Sequence, residues 1–119
     1  MEEKTLVVLS KEFAVDIVKL GDEINEDKKH CVLINQLLRS GTSIGANIHE
    51  ANYAASKADF INKMQIALKE CYETDYWLEL FKETDLIQEN KYKPLYEKCS
   101  KIRIKLIAAI NTAKGNNSN

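Results

Sequence analysis

Proline and glycine are scarce in this chain, and their scarcity limits its fold more than any other feature. The 119 residues include one proline and four glycines. An all-β chain of this length has many tight turns, and those turns depend on glycine and proline for their backbone angles. Since 45 % of the residues are hydrophobic, the chain has enough apolar material for one packed core. We therefore predict an all-α fold with a single domain over residues 1–119.

Apolar residues recur at spacings of three and four, the period of an amphipathic helix, in four segments. We predict helices at about residues 10–26, 29–54, 56–84 and 91–113, followed by a disordered tail at 114–119. Ser10 and Ser56 are the predicted N-caps of the first and third helices, and Pro94 fits the first turn of the fourth. Residues 5–9, TLVVL, form either an extra turn or an extended lead-in. Short connectors between long helices favour an up-down-up-down antiparallel four-helix bundle.

Composition also bears on location and on cysteine chemistry. No apolar run approaches the roughly 20 residues of a membrane span, and the N-terminal residues lack the basic flank and cleavage site of a signal peptide. We therefore predict a cytoplasmic protein with no membrane partner. Cys31, Cys71 and Cys99 are odd in number and never form a CxxC pair, which disfavours a disulfide or a zinc site. We interpret all three as small buried hydrophobic residues.

A polar stripe accompanies the apolar face of the second predicted helix. Its members fall within an arc of about 80° when plotted at helical spacing: Gln36, Arg39, Ser43, Asn47 and Glu50. On the third helix, Glu70 and Glu73 share one side with Ile66, Trp77 and Leu80. If the two helices form a hairpin that turns near Ala55, residues whose numbers sum to about 110 lie at one height. This register places Arg39 beside Glu70 or Glu73, and Asn47 near Lys63.

The stripe has two interpretations, a structural network and a catalytic or metal site. An arginine between helices is tolerated when carboxylates and hydroxyls satisfy its donors, and such a network can fix helix register. Its predicted members are Arg39, Ser43, Asn47, Glu50, Glu70, Glu73 and Trp77. The alternative is a carboxylate site of Glu50, Glu70 and Glu73. A di-iron bundle uses Glu-x-x-His, whereas Glu70 to Glu73 contains no histidine, and a neighbouring arginine repels cations. The pattern favours the network, with no metal, cofactor or small-molecule substrate.

Two shorter motifs lie in the second predicted helix. Gly41 and Gly45 form a small-xxx-small pattern that allows a close helix contact, either within the bundle or between subunits. They do not form a P-loop, since no lysine follows Gly45. His49-Glu50 begins like HExxH, but Tyr53 occupies the position of the second histidine, which excludes a zinc protease.

Basic residues are concentrated at the end of the chain, although the net charge is −1. Residues 1–90 contain 10 Lys and Arg against 17 Asp and Glu, whereas residues 91–119 contain 7 against 1. One side of the fourth helix carries the lysines, with Arg103 elsewhere on it: Lys91, Lys98, Lys101 and Lys105. These side chains either remain solvated or pair with acidic groups such as Asp16, Asp22 and Glu23, or they bind the phosphates of RNA or DNA.

The stretch QLLRSGTSIGANIHEA, followed by Ser56, Phe60 and ALKECYETDYWLELF, closely resembles the 23S rRNA-intervening-sequence protein family. The resemblance covers about residues 10–110. The family's recurrent positions map here to Arg39, Ser40, Ser43, Asn47, Glu50, Ser56, Phe60, Glu70, Glu73 and Trp77.

The resemblance implies a bacterial four-helix bundle that assembles into a ring, typically a homopentamer, without established enzymatic activity. The family is also similar to the accessory protein of diversity-generating retroelements, a basic pentameric barrel that binds nucleic acid and a reverse transcriptase. This chain departs from that relative in being slightly acidic. We expect a non-enzymatic homo-oligomer, with a pentamer favoured, that acts as a scaffold or adaptor. The alternatives are a nucleic-acid-binding accessory protein that uses the basic helix 91–113 and a carboxylate-site enzyme.

Overall fold

The computed structural model describes residues 4–25 and 28–115. These residues form four long helices. They are α1 (Leu6–Ile24), α2 (Cys31–Ala51), α3 (Lys57–Glu83) and α4 (Glu89–Ala113). Each helix packs against the next one in the chain, and α4 closes the bundle against α1. The predicted all-α four-helix bundle is confirmed. Within the described residues, no helix combines the length and the apolar character that a membrane crossing requires.

Capping residues mark the starts of α1 and α3, and one of the two predicted N-caps is wrong. At α3, the Ser56 hydroxyl accepts a hydrogen bond from the backbone N–H of Asp59, as predicted for an N-cap. At α1, Thr5 performs this role instead by accepting a bond from Val8. Ser10 is buried inside the helix and donates to the Val7 carbonyl, so its prediction as the N-cap is wrong. Residues 5–9 therefore supply an extra turn, because Leu6 and Leu9 extend the core-facing stripe.

The remaining boundaries differ from the prediction by up to three residues. Helix α2 begins at Cys31 and ends at Ala51, and α4 begins at Glu89. This earlier start puts Pro94 in the second turn of α4 rather than the first. Lys114 is the C-cap of α4. Part of the predicted first connector (26–27) and most of the predicted tail (116–119) lie outside the described residues.

All four helices contribute to one hydrophobic core. Its fully buried large side chains include Phe13, Ile17, Leu37, Ile44, Leu78, Phe81, Ile102 and Leu106. Cys71 and Cys99 are buried within it, as predicted. Cys31 is only partly buried at the start of α2, where its Sγ lies 3.1 Å from the Lys28 carbonyl, so the prediction of burial is wrong there. The error arises because a residue in the first helical turn lies at the end of the bundle, beyond the packed layers.

The two glycines of α2 allow α1 to approach closely. A Cβ atom on Gly41 would lie 2.9 Å from Ile17 Cγ2, and one on Gly45 would lie 3.3 Å from the Ser10 carbonyl oxygen. The contact at Gly41 leaves no room for a side chain without a shift of Ile17, and the one at Gly45 is tighter than an ordinary van der Waals contact. The close contact predicted from the small-xxx-small pattern is therefore one within the bundle, between α1 and α2.

Candidate functional site

Arg39 joins α2 to α3 through two carboxylates. Its Nη1 lies 2.8 Å from Glu70 Oε2, and its Nη2 donates to Glu73 Oε2. The same Glu73 oxygen accepts a 3.1 Å hydrogen bond from the indole Nε1 of Trp77, one turn further along α3. The helical spacing of Glu70, Glu73 and Trp77 places all three side chains on the side of α3 that faces α2. The register predicted from the hairpin thus brings Arg39 to both carboxylates.

Burial and charge indicate that this cluster has a structural role. The Glu70 side chain is 11 % exposed, whereas Arg39 is 49 % exposed, so the guanidinium covers a buried carboxylate from the rim of the helix interface. The hydrogen bond from Arg39, with that from Trp77, lowers the pKa of Glu73 below its ordinary value. Hydrogen bonds to Glu70 and Glu73 raise the pKa of Arg39. The Arg39–Glu73 pair is therefore ionised at neutral pH, and each charge is compensated by its partner.

The other polar residues of the α2 stripe do not join this cluster. Ser43 donates to the Arg39 carbonyl over 2.6 Å, and Asn47 donates to the Ser43 carbonyl over 2.8 Å, so both bond to their own helix. Glu50 forms a separate ion pair of 2.9 Å with Lys63. We predicted Asn47 near Lys63, but Lys63 pairs with Glu50, which lies about one turn from Asn47 on α2. The stripe consists of two inter-helix pairs separated by side chains that bond to the α2 backbone.

A buried hydroxyl pair lies behind the arginine cluster, and the sequence reasoning missed it. The Oγ atoms of Ser40 and Thr74 are 3.0 Å apart, and both residues are fully buried. Thr74 also donates to the Glu70 carbonyl over 2.7 Å. The helical spacing of Thr74 could have revealed the pair. Thr74 lies three residues after Cys71 and four before Leu78, and both of these are core positions. A polar residue in the core phase calls for a polar partner on the facing helix.

The carboxylates predicted as an alternative metal or catalytic site are separated by these pairs. Glu70 and Glu73 meet on Arg39, while Glu50 lies with Lys63. In the part of the chain that the structure describes, no group of three His, Cys, Asp or Glu side chains is arranged to hold a metal ion.

The lysines of α4 face α1, and two of them pair with it. Lys98 lies 2.9 Å from Asp16, and Lys91 lies 3.4 Å from Glu23. Lys101 makes no ion pair with the residues described. A groove of about 470 Å³ follows this side of α4, and we call it the basic groove; it is lined by Lys4, Leu9, Glu12, Pro94, Glu97, Lys98, Lys101 and Lys105.

Arg103 lies on the opposite side of α4, against α3. Its Nε is 3.8 Å from Asp75 Oδ2, and its guanidinium lies 5.8 Å from the ring centre of Tyr72. Asp75 Oδ1, Ser100 Oγ and Arg103 Nε are buried without a hydrogen-bond partner in the described structure. Burial raises the pKa of Asp75, and a hydrogen bond with Cys99 and the charge of Arg103 offset that rise only in part. Arg103 is therefore not part of the basic groove.

A protein family and solved structures match this chain. The family model described as 23S rRNA-intervening sequence protein matches residues 2–108. A crystal structure of a protein of unknown function from the S23 ribosomal protein family of Bacteroides thetaiotaomicron VPI-5482 is similar, with 48 % identity and a TM-score of 0.86. The match covers 89 % of this chain and 98 % of that one. The comparison with curated proteins gives no match.

Proposed function

The chain belongs to the 23S rRNA-intervening sequence protein family, and on that premise we propose that it is a non-enzymatic, homopentameric four-helix bundle that acts as a scaffold or adaptor. One observation carries the proposal. Large apolar side chains stay exposed in the middle of helices, although the bundle already has a complete core; they include Val15, Val18, Tyr72, Tyr76 and Ile104. Exposed apolar side chains on a bundle whose core is already complete are candidate sites of association.

The arginine cluster supports a structural role over a catalytic one. A general acid or base needs a pKa near the working pH and contact with the substrate. Glu73 has its pKa lowered by Arg39 and Trp77, and Glu70 is buried beneath the arginine. Both carboxylates therefore serve the α2–α3 contact, which holds the outer faces of these helices in a fixed relation.

Light scattering on the purified chain tests the assembly. A pentamer of the 13.6 kDa chain has a mass of about 68 kDa, and that is the expected result at micromolar concentration. A monomer under those conditions would overturn the proposal. A closed oligomer of another size would support self-association but refute the pentamer.

The basic groove supports a second candidate, a nucleic-acid-binding accessory protein. Four lysines line it, and Lys101 is not engaged in an ion pair with the described residues. If the groove binds phosphates, the affinity for RNA or DNA falls steeply with salt, and Lys101→Glu weakens it. Lys57→Glu, an exposed change at the start of α3, is the matched control. Retention that is absent at low salt, or equal in both variants, would dismiss this candidate.

A further inference from the structure

Glu12 lies in the basic groove and contacts two of the lysines that line it. Both of its carboxylate oxygens are 2.9 Å from Nζ of Lys4, which precedes α1. Its Oε1 is also 3.9 Å from Nζ of Lys98 on α4. Lys98 has a closer contact of 2.9 Å with Asp16, one turn further along α1. One carboxylate thus lies between two ammonium groups that come from different parts of the fold.

Two lysines around one anion can hold a phosphate group as well as a carboxylate. Lysine binds either anion as a compact charge with rotatable N–H donors, through the same kind of charged hydrogen bond. Two further lysines of α4, Lys101 and Lys105, line the same groove. A chain of phosphates that follows the lysines of α4 therefore leads to the position that Glu12 occupies.

The ion pairs of Glu12 are weak enough for a nucleic acid to replace them. The side chains of Lys4, Glu12 and Lys98 are 58 %, 36 % and 30 % exposed. Water screens ion pairs at such positions, and they contribute little to stability. A nucleic acid contacts a basic surface through several phosphates at once and releases counterions, so it can compete with a single carboxylate. Glu12 therefore lowers the affinity of the groove without closing it.

Two other carboxylates on this side of the bundle differ from Glu12. Glu97 lines the groove but makes no ion pair with the described residues, so it can repel a phosphate without occupying a lysine. Glu23 pairs with Lys91 over 3.4 Å, and neither residue lines the basic groove. Glu97 therefore serves to measure repulsion alone, and Glu23 the effect of an ion pair outside the groove.

We propose that Lys4 and Lys98 form a phosphate-binding position of the basic groove, and that Glu12 occupies this position in the free chain as an internal competitor. This inference rests on the second candidate function, the binding of nucleic acid in this groove. On binding, a phosphate of the RNA or DNA takes the place of the Glu12 carboxylate between the two lysines. The groove therefore binds more weakly than its four lysines allow, and loss of this one carboxylate strengthens it.

Fluorescence anisotropy with short labelled RNA and DNA strands at low salt tests the exchange. Glu12→Gln is expected to bind about two- to fivefold more tightly than the wild type, as for the release of one or two half-exposed ion pairs. Glu23→Gln makes the same charge change outside the groove, so it is the matched control and keeps the wild-type affinity. Glu97→Gln should gain less than Glu12→Gln. Lys4→Gln with Lys98→Gln should abolish the gain when both are added to Glu12→Gln.

The outcomes separate this inference from the candidate function. If neither the wild type nor Glu12→Gln binds RNA or DNA, nucleic-acid binding and the inference are both refuted. If the wild type binds and Glu12→Gln binds no more tightly, only the assigned position is refuted. An equal gain in Glu97→Gln or Glu23→Gln also refutes it, because charge alone then explains the gain. Circular dichroism checks that each variant is folded.

Discussion

Arg39 Nη1 on α2 lies 2.8 Å from Glu70 Oε2 on α3, although 31 positions separate the two residues in the chain. Glu70 is a buried residue, and the half-exposed guanidinium shields its carboxylate from one side. A buried carboxylate without a charged partner costs free energy. The pair therefore stabilises the packing of α2 on α3 around Glu70.

Removal of the guanidinium is expected to destabilise the bundle. Arg39→Met leaves Glu70 without its ion-pair partner, and we expect a loss of about 1–3 kcal/mol in the free energy of unfolding. Arg39→Lys keeps the charge but lacks the planar guanidinium that donates to both carboxylates. Its loss in the free energy of unfolding should therefore be intermediate. Urea unfolding followed by circular dichroism measures both. An Arg39→Met chain as stable as the wild type would contradict a structural role.

Acid should weaken the same contact. The folded-state pKa of Glu73 is lowered by Arg39 first and by Trp77 second, from an ordinary value of 4.5. Its contribution to stability is therefore complete above that ordinary value and is lost as the pH falls through the lowered pKa. Glu73→Gln should be less stable than wild type at neutral pH and should lose less stability on acidification. Urea midpoints at pH 7 and in mild acid would show this, and parallel pH profiles would refute it.

A larger side chain at Gly41 should force α1 away from α2. A Cβ there would already lie 2.9 Å from Ile17 Cγ2, so Gly41→Val is expected to cost about 1–3 kcal/mol through overpacking. Ile17→Ala removes the obstructing atoms, and the double variant should lose less than the two single losses added together. Thermal unfolding of the four proteins measures this coupling. If the losses of the two single variants simply add in the double variant, the contact between positions 41 and 17 is not the source of the strain.

Asp75 should reduce the stability of the bundle at neutral pH. Burial raises its folded-state pKa, so its ionised form opposes folding once the pH exceeds that value. Asp75→Asn should therefore stabilise the bundle at neutral pH, measured by urea unfolding. An Asp75→Asn chain that is less stable than the wild type at neutral pH would contradict this prediction.

Much of the fold followed from local patterns. The helical periodicity predicted all four helices, and Ser56 marked the start of α3 because its hydroxyl needs only a backbone N–H three residues away. The pairing of Arg39 with Glu70 and Glu73 also followed, since one hairpin turn fixes the register of two long helices. These inferences depend on interactions that are close in sequence or on a single geometric rule.

Other features depended on competition between equally plausible partners. Thr5 and Ser10 both carry hydroxyls suited to capping, and the continuation of the apolar stripe put Ser10 inside the helix. Ser43 and Asn47 could have crossed to α3, but nearby carbonyls of α2 satisfy them at less cost in side-chain freedom. A helical plot gives the direction of a side chain and not the acceptor it finally reaches.

The sequence by itself determined the helices, the all-α fold and the family, because periodicity and the R-S-G-T-S-I-G-A-N stretch are properties of the linear chain. Only the tertiary structure decided that Ser40 meets Thr74, that Lys98 pairs with Asp16, and that Asp75 lies beside Arg103. Those relations depend on the relative height and rotation of helices distant in sequence. Side-chain packing across the whole bundle sets both quantities, since each helix must fit two neighbours at once.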